Sequence, residues 1–213
     1  MVSAKLNKYL TTYTEWTHRW RITINTDKTQ TMLLRKKHKR PRLLEKSPIV
    51  IDGMPVKYTR NIQYLGITIT DKLDLTQHIT KTINRIQPAL NTIYFLNRKQ
   101  TQIAKSTRLH LYKSLIRSSL TYAAPLLHNT KIQNKEKLER IHRKTIRSCL
   151  NLPRNTPNKI ITPLSKIPTI TTFIKTLSLR YRNRAIKREF IKEIISQAPA
   201  YTTAKSLQKI TTH

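Results

Sequence analysis

Hydrophobic positions recur at three- and four-residue spacings from Lys5 to Trp20, where Leu6, Tyr9, Leu10, Tyr13, Trp16 and Trp20 mark one face of an amphipathic helix. The period then shortens to two. Ile22 and Ile24 alternate with polar neighbours, as in a half-buried strand. Asn25, Thr26 and Asp27 supply turn chemistry, and a second strand-like run begins at Thr29. Lys28 is thereby placed at a strand–turn–strand junction. Further on, Ile49-Val-Ile51 and the run from Met54 to Tyr58 flank Asp52-Gly53, a pair suited to the positive φ angles of a type I′ hairpin turn. The run from Ile62 to Ile69 reads as another strand, in which Gly66 marks a bulge or the close approach of another backbone.

From Asp71 the period is helical again. Leu75, Ile79, Ile83, Ile86, Leu90 and Ile93 make a long stripe that Pro88 must kink or divide. A second helix is expected from Ile103 to Leu120, ending before Tyr122-Ala-Ala-Pro125. The clearest helix runs from Ile132 to Leu150, with Leu138, Ile141, Thr145 and Cys149 on one side. On a different face of it Lys137, Arg140, Lys144 and Arg147 recur at spacings of three and four. Prolines at 153, 157, 163 and 168 mark short turns around one brief helix, and a last long helix is expected from Thr169 to about Ser196, with a Thr-rich tail fraying after Pro199. The pattern describes an α+β chain, mostly α. A small antiparallel β-hairpin region over 1–70 precedes an all-helical module over 71–213.

Charge changes this picture from a fold to a partner. The 213 residues hold 42 Lys and Arg against 10 Asp and Glu, a net charge of +32 with pI ≈ 10.8. Self-repulsion of that size opposes compaction, and an anionic polymer relieves it. Nucleic acid is the commonest such polymer, bound with steep salt dependence through counterion release. The basic run Lys36-Lys-His-Lys-Arg-Pro-Arg42 is a solvated connector, or else a nuclear-localisation or phosphate-contact segment. No apolar run approaches the length of a membrane span and no amphipathic segment stands out as an interfacial anchor, so no membrane partner is expected. The single cysteine, Cys149, excludes an intramolecular disulfide and falls on an apolar face, where it reads as core. An intracellular protein of nucleus or cytoplasm, not secreted, is expected.

Catalytic chemistry is thinly represented. Asp71 and Asp74 are the one close aspartate pair, and they stand where a helix begins, so capping explains them better than metal binding. Glu136 and Glu139 lie on a strongly basic helix, where intrahelical ion pairs account for them. The seven histidines are scattered, and there is no Gly-rich phosphate loop. No metal site and no cofactor are expected in this chain.

Several motifs, in order and spacing, nevertheless resemble the C-terminal part of reverse transcriptases from non-LTR retrotransposons, jockey-like elements in particular. They are Trp16, Trp20 and Ile24 leading into Asn25-x-x-Lys28-Thr29, then Tyr64-Leu65-Gly66, then Leu111-Tyr-Lys-Ser-Leu-Ile-Arg117, Leu120-Thr-Tyr-Ala-Ala-Pro125, the run from Leu138 to Arg147, and Leu152-Pro153. The resemblance implies that residues 1–70 are the end of a polymerase palm and 71–213 its thumb and the region after it, lying against a template–primer duplex. It makes Lys28 an auxiliary lysine near the incoming nucleotide, and Tyr64, Leu65 and Gly66 a primer grip. The stripe of Lys137, Arg140, Lys144 and Arg147 becomes a phosphate-contacting surface or remains a solvated face.

The family's metal-binding aspartates sit on an earlier strand and on an aromatic-x-Asp-Asp turn, and neither motif occurs in this sequence. Two-metal phosphoryl transfer requires ligands for its ions, so Mg²⁺ belongs with the complete polymerase. This chain is expected to hold nucleic acid without copying it, with the missing polymerase core as a partner. A stand-alone basic RNA- or DNA-binding protein and a pseudogene product are the other readings.

Overall fold

A computed structural model of the chain describes residues 2–34, 48–97, 102–190 and 193. The described residues fall into two compact units, divided between Lys81 and Thr82. The secondary structure is that of a mostly helical α+β protein whose strands are short and occur only in pairs.

In the first unit α1 (Val2–Arg19) carries the N-terminal amphipathic pattern. It ends in a left-handed residue, Arg21, at φ 54°. The amides of Arg21 and Ile22 return to the carbonyls of His18 and Thr17 at 3.0 and 2.9 Å, the paired closure by which a helix reverses its chain. The strand expected at Ile22 to Ile24 is absent. The two alternating isoleucines find no ladder partner: Ile22 is exposed, while Ile24 packs with Leu10 against Ile49, Ile51 and Val56. The expected hairpin about Lys28 is instead one helical turn. Asn25 Oδ1 accepts the Lys28 amide at 2.9 Å, and the Asn25 carbonyl accepts the Thr29 amide and hydroxyl at 3.1 and 2.8 Å. Only then does β1 (Gln30–Thr31) form, and it runs parallel to β4 (Lys57–Tyr58).

The Asp52-Gly53 hairpin forms as expected. β2 (Val50–Ile51) and β3 (Met54–Pro55) pair antiparallel, with Ile51 opposite Met54 and positive φ at both turn residues. Asn7 pins the hairpin to α1 by donating Nδ2 to the Pro48 carbonyl at 3.1 Å and accepting the Val50 amide on Oδ1 at 3.2 Å. The single strand expected from Ile62 to Ile69 is a second hairpin, β5 (Asn61–Tyr64) and β6 (Ile67–Thr70). Leu65 and Gly66, at φ 47° and 76°, are its two-residue turn, so Gly66 reverses the chain and does not bulge a strand. The segment after β6 leads into α2 (Thr76–Arg85). Asp74 Oδ1 accepts both the amide and the hydroxyl of Thr76, at 2.8 and 2.6 Å, and so caps that helix.

The second unit is helical. Ile86 separates α2 from α3 (Gln87–Leu96), and Pro88 lies in the first turn of α3, where its missing N–H costs nothing. α4 (Lys105–Leu111) passes without a break into a π-helical segment (Tyr112–Arg117) and then α5 (Ser118–Leu120). Hydroxyls of Ser114, Ser118, Ser119 and Thr121 bond back to carbonyls of the preceding turn along this stretch, a competition that loosens regular α-helical closure. α6 (Ala124–Leu127) is followed by α7 (Ile132–Cys149), α8 (Asn158–Ser165) and α9 (Ile170–Ala185). α9 ends earlier than the sequence pattern suggests; Ser196, the tail beyond Pro199 and the basic run from Lys36 to Arg42 lie outside the described residues.

α7 is the pivot of this unit, packing on α3, α4, the π-helical segment, α8 and α9. It buries Leu138, His142, Thr145, Ile146 and Cys149. The Cys149 thiol accepts from Asn97 Nδ2 at 3.6 Å and donates to the Arg108 carbonyl at 3.5 Å, and burial pushes its pKa up. Beside it the Tyr112 hydroxyl bonds His142 Nδ1, both rings fully enclosed. No described helix is long and apolar enough to cross a membrane.

Candidate nucleic-acid interface

The outward face of α7 is cationic for a local reason. With Leu138, His142 and Ile146 committed inward, the intervening positions Lys137, Arg140, Lys144 and Arg147 fall on the remaining arc. Arg140, Lys144 and Arg147 line one groove of about 630 Å³, together with Tyr94 of α3 and with Ser148, Leu152 and Arg154. Lys137 is exposed on the same helix but is not part of the lining.

The far wall of the groove exists because α7 ends in another left-handed closure. Asn151 takes φ 55°, the Asn151 amide reaches the Ser148 carbonyl at 3.0 Å, and the Leu152 amide reaches the Arg147 carbonyl at 2.9 Å. The chain therefore doubles back and carries Arg154 to the helix face it has just left. Arg147 then braces the loop: its Nε and Nη2 donate to the Thr156 carbonyl at 3.3 and 3.0 Å, and Nη2 also donates to Asn158 Oδ1 at 2.5 Å. Lys144 Nζ lies 5.3 Å from the centroid of the Tyr94 ring, a cation–π contact that holds the ammonium without neutralising it. Burial raises the pKa of the Tyr94 phenol, with a hydrogen bond to Thr145 acting the other way.

No acid lines this groove. Glu136 and Glu139 line a neighbouring cavity of about 490 Å³, which Arg140, Arg143 and Arg147 share. There Glu139 Oε1 accepts Arg143 Nε at 3.0 Å, and Oε2 accepts the Ile170 and Thr171 amides at 3.0 and 3.4 Å. Four cations on one lining, of which Lys144 and Arg154 stand clear of the acid-bearing cavity, make a surface suited to successive phosphates, since each phosphate neutralised releases a counterion. Tyr94 and Arg154 escaped the sequence reading because helical periodicity links residues within one helix and says nothing of those another element brings alongside.

The remaining sequence candidates lie in the first unit. Tyr64, Leu65 and Gly66 are brought together at the tip of the β5–β6 hairpin, with both large side chains exposed, Leu65 at 70%. Lys28 is exposed on the separate turn begun by Asn25. Among the described residues no group of three or more His, Cys, Asp or Glu could hold a metal ion. Of the described carboxylates, Asp74 is engaged as a helix cap and Glu139 at the start of α9.

No protein-family model matches the chain, and no solved structure matches it significantly. Three relatives from Drosophila melanogaster are informative. The "Probable RNA-directed DNA polymerase from transposon X-element" is 23% identical over 81% of this chain, and the "RNA-directed DNA polymerase from mobile element jockey" is 20% identical over 84%. The "Probable RNA-directed DNA polymerase from transposon BS" is 30% identical over 48%. The chain spans less than a fifth of the length of these relatives, 18%, 19% and 11% respectively. Over about four fifths of its length the chain is thus a homologue of the RNA-directed DNA polymerases of Drosophila non-LTR retrotransposons, jockey among them.

Proposed function

We propose that this chain is the portion of a retrotransposon reverse transcriptase that holds the template–primer duplex. The observation that carries the reading is the acid-free groove of Arg140, Lys144, Arg147 and Arg154 on a chain of net charge +32. In this reading residues 1–70 are the end of the palm, and 71–213 are the thumb and the region after it. The exposed tip of Tyr64, Leu65 and Gly66 serves as a primer grip, and Lys28 lies near the incoming nucleotide. Nucleotide incorporation, with its Mg²⁺, belongs to aspartates that this sequence does not contain. The chain therefore works with further polymerase polypeptide, inside the cell, in nucleus or cytoplasm, and has no membrane partner.

Purified protein tests this directly. A labelled template–primer duplex should bind with an affinity that falls steeply as salt rises, and no labelled nucleotide should be incorporated when Mg²⁺ is added. Absence of duplex binding at low salt would sink the binding half of the proposal, and incorporation would sink the other.

A further inference from the structure

The polarity of α1 is inverted relative to the elements that cover it. It turns Leu10 towards the core of Ile49, Ile51 and Val56, and buries Thr14 and Thr17 on the same side of the helix. The two hydroxyls bond back to the Thr11 and Thr14 carbonyls at 2.8 Å each, which is how threonine is made tolerable inside. About a third of a turn round the helix, Leu6, Tyr9, Tyr13, Trp16 and Trp20 remain between 39% and 68% exposed. The rings of Tyr13, Trp16 and Trp20 run on from one another, Tyr13 and Trp16 stacked at 6.0 Å and Trp16 and Trp20 tilted by 49° at 6.3 Å. Aromatic side chains of this size bury roughly 150 to 250 Å² each when enclosed. The stripe is therefore as large as the largest apolar patch that a typical monomer leaves open, roughly 300 to 600 Å². Lys5, Lys8 and Arg19 form one rim of it, beside a single acid, Glu15.

We infer that this face is the seat of a further polypeptide segment of the polymerase, one that presents an apolar surface to the ring stripe and carboxylates to Lys5, Lys8 and Arg19. The inference rests on the polymerase reading of the chain. The relatives have more than four fifths of their length outside the stretch this chain matches, which is ample polypeptide to supply such a surface. The aliphatic member Leu6 favours protein over nucleobases, because a base gains from stacking on rings and little from an isolated aliphatic side chain.

Trp16 and Trp20 are the only tryptophans of the chain, so intrinsic emission reports on this face alone. The probe is the X-element polymerase lacking the stretch that matches this chain, produced as a separate polypeptide, with that polymerase's own matching stretch as the reference pairing. Mixing is expected to shift the emission to the blue and to give a one-to-one complex in sedimentation. Leu6→Ser and Tyr9→Ser should weaken the complex at least tenfold while leaving the chain's own melting temperature and its duplex affinity unchanged. Failure of this chain to form the complex, whether or not the reference pairing forms, overturns the inference. A concentration-dependent blue shift of the chain alone would assign the face to a second copy. Quenching by a single-stranded oligonucleotide that both variants abolish would assign it to nucleobases, and either result overturns the inference. Complex formation without duplex binding would sink the nucleic-acid proposal and leave this one standing; duplex binding without the complex does the reverse.

Discussion

Glu139, in the middle of α7, accepts the backbone amide of Ile170 at 3.0 Å across 31 residues of sequence. It takes the Thr171 amide as well, and Thr169 Oγ1 takes that of Thr172 at 3.2 Å, so the first three amides of α9 are all met. A carboxylate at a helix N-terminus also favours the local dipole. Glu139→Ala leaves the buried Ile170 amide unsatisfied and Arg143 without its partner. The expected loss is about 2 to 3 kcal/mol, read as a lower melting temperature by circular dichroism. Glu139→Gln retains an acceptor and is expected to lose less than half as much.

Acid should loosen the second unit through His142. Its ring is 2% exposed. Burial, reinforced by Arg143 and Arg117 and opposed by Glu139, holds its pKa down from 6.5 to about 4. Burial pushes the Tyr112 phenol the other way, so it stays protonated and donates to Nδ1. The folded protein keeps His142 neutral where the unfolded chain would already take up a proton. Stability is therefore full above pH 6.5, declines as pH falls towards about 4, and levels off below. The decline is on the order of 3 kcal/mol. Urea midpoints across that interval check it, and His142→Gln should flatten the slope.

The groove separates its cations by role. Lys144→Ala and Arg154→Ala should each reduce the slope of log K against log salt by about 1 for a template–primer duplex, one phosphate contact apiece. Lys137→Ala, outside the lining, should change it less. Arg147→Ala differs in kind, because it also removes three hydrogen bonds to Thr156 and Asn158. Weaker binding together with a lower melting temperature is expected. Fluorescence anisotropy over a salt series, paired with thermal melts, distinguishes the two classes.

Leu65 occupies a left-handed conformation that disfavours any residue with a Cβ by roughly 1 to 2 kcal/mol. Leu65→Asn should relieve part of that strain and raise the melting temperature by a few degrees. If the hairpin tip grips a primer, the same substitution weakens duplex binding while it stabilises the fold. Stability and affinity that rise together would remove the tip from the interface.

The helices were legible where a buried stripe repeats. Leu75 to Ile93 divides next to Pro88 as its chemistry demands, and α7 shows its two faces through spacing alone. The β region was legible only where turn chemistry is unambiguous. Asp52-Gly53 declared its hairpin, whereas Leu65-Gly66 concealed one, since leucine is among the last residues expected at positive φ. Ile22 and Ile24 imitate a strand because two alternating residues satisfy any period-two template. The candidate groove was half legible. The stripe on α7 could be read, but Tyr94 and Arg154 reach it from other segments. Glu139 was hidden for the same reason, with an ordinary ion-pair spacing inside its helix and its main partner on a distant one.

The widened turn from Tyr112 to Arg117 sets the line of the packing seam. Tyr112, Ile116 and Leu120 succeed one another at intervals of four and are all enclosed. In a regular α-helix each such step overshoots a full revolution by about 40°, so the two of them would wind the seam away from α7. Closure on the fifth residue absorbs the excess, and the three side chains stay in file. Excising a single residue there would restore ordinary winding and swing either the phenol or the leucine out of register with its neighbours.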